Sequence, residues 1–440
     1  MSVPLLKVSL KTEEHKLLAC VHCGLCLEAC PTYTFTGDEN DSPRGRLYLM
    51  RAVVEEKLAV NSATFRTHID RCLGCRACEP VCPAGVEYGQ LLEASRATLF
   101  PVAASSFTNS ALRFVLRHVW LHPTRLRFTF AFARLLRNSG LAKLVWKSGL
   151  ARIISKRMQF GLGLLISSQP QLNNNHQAST KLGTQANQAL LFTGCVTEGL
   201  FQRVNEATKR VLEVNEVDTQ TPTNQVCCGA LHAHAGDLEG ARILARQNIA
   251  AFGNGNEPII TNAGGCGAML VSYSHLLAND PEHAESSHRF AERVRDVSQQ
   301  LERKAIKAGA SLDRPVTYDA SCHLLNGQHA TEAPLKVLRA IPNLNFVPLD
   351  GAERCCGGAG VYNLLERRMS AGVLAEKLNH IRETGAAVLA TGNPGCQMQI
   401  GAGALEAEMK LEVCHPIELL DESYRRAGFY KEGSSHPEKS

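Results

Sequence analysis

Cys20-Val-His-Cys23-Gly-Leu-Cys26-Leu-Glu-Ala-Cys30-Pro31 and Cys72-Leu-Gly-Cys75-Arg-Ala-Cys78-Glu-Pro-Val-Cys82-Pro83 decide the architecture of the N-terminal part. Each run is Cys-x2-Cys-x2-Cys-x3-Cys-Pro, the spacing with which a chain wraps a cubane of four irons and four sulfides. Three closely spaced thiols grip one cluster, and the fourth crosses to its neighbour. The expected ligand sets are therefore Cys20, Cys23, Cys26 and Cys82 for one cluster, and Cys72, Cys75, Cys78 and Cys30 for the other. The tight spacing turns backbone N–H groups toward the sulfides. The proline after each fourth cysteine is expected to stop local helix and turn the chain away. Zinc sites commonly pair two Cys-x2-Cys units at longer separation, so two [4Fe-4S] clusters are the better reading. They would lie close enough to relay single electrons. Between the runs, Ser42 reads as an N-cap and Pro43 as a first-turn residue. Leu47, Met50, Val54 and Leu58 then recur at helical spacing.

Outward from these runs, 440 residues suffice for several cores, and a formal charge of +5 is mild for that length. The 17 cysteines are clustered in a chain far too long for a disulfide-stapled secreted scaffold. Met1–His15 lacks the basic start and apolar run of a signal peptide. Reduced thiols and a cytoplasmic compartment follow as expectations. No stretch reaches the roughly 20 apolar residues of a spanning helix; Phe160–Ile166 is much too short. Composition divides the chain into residues 1–100, residues 101–184 ending in a linker around Asn173–Asn175, and two further units at 185–310 and 311–440.

Those last two units are copies. Cys195 matches Cys322, Cys227-Cys228-Gly229 matches Cys355-Cys356-Gly357, and Cys266 matches Cys396, at offsets of 127, 128, 128 and 130 residues. In each copy a short apolar run (Ala189–Phe192, Val316–Tyr318) leads to the first cysteine. A helix (Leu238–Phe252, Leu364–Ile381) follows the double cysteine, and a second run (Ile259–Asn262, Ala387–Thr391) delivers the last one. Alternating strands and helices imply α/β units with parallel strands, the cysteines lying at strand carboxyl ends. A glycine after adjacent cysteines lets the backbone bend close to a cofactor. Three readings of the eight thiols stay open: a further cluster, redox-active thiols, or a duplicated docking element. His323, His232 and His234 are candidates to tune or ligate a cluster, or are ordinary loop histidines. Cys414, without a counterpart, reads as a packed thiol.

Ala94–Thr197 contains no Asp or Glu but 13 Lys or Arg, and both tryptophans, Trp120 and Trp146. Leu112–Trp120 and Leu141–Ile154 alternate apolar and basic residues at near-helical spacing. That pattern suits a helix lying in a membrane interface, or a basic face gripping an acidic partner. Nucleic acid is not expected, because the stretch is as apolar as it is basic and no recognition motif accompanies it.

The two copies resemble the cysteine-rich CCG domain of heterodisulfide reductases and of iron-sulfur subunits of flavin dehydrogenases. Both depart from its fullest form, reading Cys266-Gly-Ala-Met269 and Cys396-Gln-Met-Gln399 where that motif ends in Cys-x2-Cys. Together with Ser42-Pro-Arg-Gly-Arg46, Cys355-Cys-Gly-Gly-Ala-Gly-Val-Tyr-Asn363 and His415-Pro-Ile-Glu-Leu-Leu420, the chain resembles the glycolate oxidase iron-sulfur subunit family. The resemblance implies a multidomain α+β and α/β fold: a mainly helical ferredoxin-type double-cluster module followed by two duplicated α/β CCG units. It also implies partner subunits carrying FAD that oxidise glycolate to glyoxylate. This chain would pass electrons toward a membrane quinone, peripherally on the cytoplasmic face of the inner membrane. The alternatives are subunits serving glycerol-3-phosphate or lactate, or a catalytic disulfide reductase. No Gly-rich dinucleotide fingerprint is present, since Gly161-Leu-Gly163 lacks both a third glycine and a preceding strand. The chain itself is therefore expected to supply no catalytic residue to substrate oxidation.

Overall fold

The computed structural model describes residues 10–101, 107–169 and 187–430; the Asn173–Asn175 tract expected as a linker lies outside them. The N-terminal part is helical. Ser42 caps the helix Pro43–Val54 by accepting a hydrogen bond from the Gly45 N–H, so the expected start of this helix is met. Its buried Leu47, Met50 and Val53 pack with Phe65, Ile69, Leu91 and Leu92 from the helices Ala63–Asp70 and Tyr88–Leu99. Leu58 lies past the helix end but still packs against this core.

One expectation is corrected. Pro31 does not stop a helix; it begins one, Pro31–Thr36, with Cys30 as N-cap. Proline suits that position because its missing N–H is one that the first turn leaves unpaired anyway. Pro83 begins no helix; the next one starts at Tyr88.

The two copies build parallel sheets of matching order. The first has β1 (Asn187–Phe192), β2 (Val217–Gln220), β3 (Ile259–Thr261) and β4 (Val294–Asp296) in the order β2-β1-β3-β4. The second has β5 (Val316–Asp319), β6 (Val388–Thr391) and β7 (Glu412–Cys414) in the order β5-β6-β7. A single parallel bridge from Val316 to Phe346 stands where β2 stands in the first copy. All pairings are parallel. The strand order reverses between β1 and β3, and equivalently at β5 and β6. Loops at the carboxyl ends of such strands form a crevice. Cys195 and Cys266 follow β1 and β3, and Cys322 and Cys396 follow β5 and β6.

The sheets share one core. Leu191 and Ile260 of the first, and Val316, Tyr318 and Val388 of the second, join Val211, Leu212, Leu419 and Leu420 from the helices Gln202–Val214 and Pro416–Arg426. Arg210 and Asp421 pair across these helices at 2.7 Å, and Arg203 meets Glu418 at 2.7 Å. The turns bearing the last cysteines also abut: Gly264 donates its N–H to the Gly392 carbonyl at 3.0 Å, and Gly265 donates to Asn393 Oδ1 at 3.2 Å.

The acid-free stretch folds as the helices Phe107–Val115, Pro123–Asn138, Leu141–Lys147, Leu150–Ile154 and Lys156–Ser167, with a π-helical turn at Leu116–Trp120. The continuous pattern over Leu141–Ile154 is broken at Gly149, whose φ of +72° ends the first helical piece. The apolar Phe160–Ile166 run is core: Phe160 is buried, and Gly163 lets its helix approach Ala402 of the helix Pro394–Glu406.

Candidate metal centres

The two N-terminal cysteine runs form the same loop. His22 and Gly24 flank Cys23 with φ of 53° and 87°; Gly74 and Arg76, at the equivalent positions, flank Cys75 with 63° and 61°. Paired left-handed residues turn successive backbone N–H groups inward, which makes a concavity suited to an anionic group. Gly fills one such position in each run, where φ is positive at no steric penalty.

Two cradles result. The first is lined by Cys20, Cys23, Cys26, Cys78 and Cys82; the second by Cys30, Cys72, Cys75 and Cys78. Each fourth cysteine thus stands among the thiols of the opposite run. The donors suit an iron cluster. Every cysteine is a free thiol. Among the described residues no three thiols gather within the 4.8 Å that a single ion would need. Burial and the neighbouring Cys75, Cys72 and Cys30 thiols push Cys78 well above the ordinary thiol range.

The cradles differ in setting. Around the first, Cys23 is exposed, and Leu18, Val21 and Leu25 stand out into solvent at 61, 69 and 61 % exposure. The second is enclosed. Arg46, fully buried, donates to the His68 carbonyl (2.6 Å) and Thr32 Oγ1 (3.0 Å), and its Nη1 lies 4.0 Å from Cys30 Sγ. Burial opposes the guanidinium charge, but Cys72, Tyr88, Cys30 and Asp41 outweigh it and raise the pKa. Asp41 is held in turn by Arg46, Arg71 and His68. Tyr88 donates its hydroxyl to Cys72 Sγ at 3.6 Å. Sequence reasoning missed this network; its one trace was Ser42-Pro-Arg-Gly-Arg46, whose partners are set by the fold.

In the repeats, Gly229 and Gly357 both take left-handed φ (91° and 79°), so the bend expected after the double cysteine is present. A Cβ at Gly357 would meet the Ser370 carbonyl at 2.7 Å. In the first copy Cys195 and Cys227 Sγ atoms are 3.4 Å apart; burial and thiol contacts raise Cys195, Cys227 and Cys228. The second copy is electrostatically different. Cys322 and Cys355 are 4.0 Å apart, Cys356 and Cys396 3.3 Å, and Asn393 Nδ2 donates to Cys396 Sγ. The Cys355 thiol contact, opposed by burial and helped by His323, draws Cys322 down to about 5. Contacts with the Cys355 and Cys396 thiols draw Cys356 down too, aided by the charge of buried Lys377, itself paired with Asp319 at 2.8 Å.

The second cradle and the second copy touch. Cys75 packs in one buried cluster with Cys322 and Cys355, Asn326 Nδ2 donates to the Cys75 carbonyl at 3.0 Å, and Tyr362 Oη donates to the Arg71 carbonyl at 2.7 Å. His323 is no surface-loop histidine: it begins a π-helical turn, stacks on His234 at 5.3 Å, and has Nδ1 3.9 Å from Cys322 Sγ. Glu93 approaches His234 at 3.9 Å, and burial lifts its carboxyl to about 6. His232 is structural, fully buried with Nδ1 3.0 Å from Asp237. Cys414 is the packed thiol expected, and burial raises its pKa.

These features define an iron-sulfur protein with a helical cluster-binding module and two cysteine-rich α/β units. Family comparison agrees: residues 16–86 match a 4Fe-4S dicluster domain, residues 189–271 and 316–401 match the CCG cysteine-rich domain, and residues 110–160 match the linker region of the glycolate oxidase iron-sulfur subunit. The chain belongs to the glycolate oxidase iron-sulfur subunit family. It is 37 % identical to a probable glycolate oxidase iron-sulfur subunit of Bacillus subtilis, over 94 % of this chain and 95 % of that protein. It is 30 % identical to the glycolate oxidase iron-sulfur subunit of Escherichia coli, over 93 % and 95 %. A shorter relative, lactate utilization protein A of Shouchella clausii, is 32 % identical over 52 % of this chain and 97 % of its own length.

Proposed function

We propose that the chain carries electrons singly within a flavin-dependent complex that oxidises glycolate to glyoxylate, taking them from a partner's FAD and passing them toward a membrane quinone. The four segments, 1–100, 101–184, 185–310 and 311–440, then divide the labour. When bound, the two [4Fe-4S] clusters supply one-electron carriage. The observation that carries the reading is the packing of Cys75 with Cys322 and Cys355, which joins the enclosed cradle to the second copy. The exposed cradle, rimmed by Leu18, Val21 and Leu25, is the entry side; an apolar rim excludes water when a flavoprotein docks. Arg46 and the inward backbone amides offset the negative charge gathered by eight thiolates. The relatives named for glycolate oxidase support the substrate.

Among the described residues no helix is long and apolar enough to cross a membrane. Membrane contact is accordingly assigned to the acid-free helices lying on the surface of the bilayer. The test is anaerobic purification with native partners, iron and sulfide counting, and EPR of the reduced protein. About eight irons with two coupled signals is the minimum the reading requires; a protein loaded with zinc and EPR-silent on reduction overturns it.

A further inference from the structure

A cavity of about 140 Å³ opens where the helices Ala63–Asp70, Tyr88–Leu99 and Phe107–Val115 meet the segments that follow the double cysteines of both copies. Leu73, Leu99, Phe100, Leu112, Leu231 and Leu365 form apolar walls, and Asp70, Arg96, His234 and Glu366 line the polar remainder. Into this setting project two guanidinium groups. The Nη2 atoms of Arg66 and Arg113 are buried and have no hydrogen-bond partner, while Arg113 stacks over the Phe100 ring at 4.0 Å. A buried donor left unpaired costs about 1–3 kcal/mol. Arg66 keeps Asp70 at 3.9 Å on its Nε side, so the two free Nη2 donors beside the leucine walls suit a ligand that offers acceptor oxygens on a flat, largely apolar body.

The position is as informative as the lining. Leu73 and Tyr362, both cavity residues, pack in one cluster with Cys75, Cys322 and Cys355. One layer of side chains therefore separates the cavity from the junction of the second cradle and the second copy. Tyr362 is fixed in that layer by its bond to the Arg71 carbonyl. On the other side, the helix that lends Leu112 and Arg113 exposes Phe114 and Val115 directly afterwards.

Building on the electron-carrier reading above, we infer that this cavity seats the ring of a quinone, with Arg113 and Arg66 donating to its carbonyl oxygens. A small carboxylate would satisfy the arginines but leave the leucine walls uncovered. An acyl chain would cover the walls but offer no acceptor. The quinone ring does both. The reaction balances as one quinone taking two electrons, delivered one at a time by reduced clusters that are each oxidised by one electron. Two protons come from water, and the product is the hydroquinone.

The test uses the full chain, loaded with clusters anaerobically and photoreduced. Its iron content, EPR, reduction of ferricyanide and reduction of a short-chain quinone are measured for wild type, Leu112→Trp, Arg113→Leu and Arg113→Lys. Leu112→Trp fills the cavity, and Arg113→Leu removes a donor. Both are expected to keep iron, EPR and ferricyanide reduction while quinone reduction falls by about tenfold or more. Arg113→Lys restores part of the rate. A photoactivatable azidoquinone, used without turnover, is expected to label peptides containing Leu112 or Leu365, and Leu112→Trp to suppress that labelling. Quinone reduction and labelling unchanged in both cavity variants overturn the inference while leaving the electron-carrier reading intact. Loss of iron or of ferricyanide reduction in the wild type overturns that reading instead.

Discussion

Arg46 shows how one residue serves both stability and redox chemistry. It is fully buried, pairs with Asp41 at 3.4 Å, and places its charge beside Cys30. Removing one member of a buried ion pair costs about 3–5 kcal/mol, because the other charge is stranded. Arg46→Gln is therefore expected to lower the denaturation midpoint, and, by withdrawing a cation from the second cradle, to make that cluster's potential more negative in an EPR redox titration. Cys30 and Cys82 give a sharper contrast: each lies in the cradle of the opposite run. Cys30→Ser is expected to damage the cluster of the second run, and Cys82→Ser that of the first, read as selective loss of one EPR signal. His415 sets an acid limit. Its Nδ1 accepts from the Ile417 N–H at the start of the last helix, and burial pulls its pKa down to about 3. The unfolded chain binds this proton from about pH 6.5. Its contribution is thus complete above that pH and shrinks by about 1.4 kcal/mol per unit as pH falls below it toward 3. His415→Asn, which keeps a capping side chain, is expected to flatten the decline in urea midpoint between about pH 6.5 and 5.5.

At the scale of elements, the helix Pro123–Asn138 has two apolar faces. Leu126 and Phe130 face inward, where the Phe130 ring packs against Gly199 of the first copy. Phe128, Phe132 and Leu135, spaced i, i+4, i+7 on the opposite side, are exposed by 78, 68 and 67 %. Leu144 and Ile153 continue the exposed apolar surface, and Lys143, Lys147 and Arg152 are exposed beside it. Cationic side chains around an apolar face suit anionic headgroups. Phe128→Glu with Phe132→Glu is expected to abolish sedimentation with vesicles containing phosphatidylglycerol and to leave iron content unchanged. The sequence displayed the basic and apolar residues of this stretch but not the division into faces, since Phe128 and Phe130 differ only in what the fold sets against each. The cysteine runs were legible because Cys-x2-Cys spacing is local, and the repeat because its offsets stay in phase. The Cys75–Cys355 contact and the π-helical turn that aims His323 were not legible. The first joins residues 280 positions apart, and the second sets His323 against His234, 89 positions away.

The duplication has produced two unequal halves of one molecule. In the first copy, contacts among the thiols and burial raise Cys195, Cys227 and Cys228. In the second copy the Cys355 contact, helped by His323, draws Cys322 down, and the Cys355 and Cys396 contacts, helped by Lys377, draw Cys356 down, while Cys355 and Cys396 themselves are pushed up; Asn393 donates to Cys396. Thiolate, not thiol, ligates iron. The second copy also touches Cys75, so a cluster held there would extend a path running from the exposed cradle through the enclosed one. A third cluster in the first copy would have no such neighbour among the ferredoxin-type ligands. If the path extends in this way, anaerobic protein holds about twelve irons. Cys356→Ser then reduces the count to about eight and removes one EPR signal, whereas Cys228→Ser leaves both unchanged. Equal losses in the two variants would mean that the copies share one function, and that the charge difference between them serves folding alone.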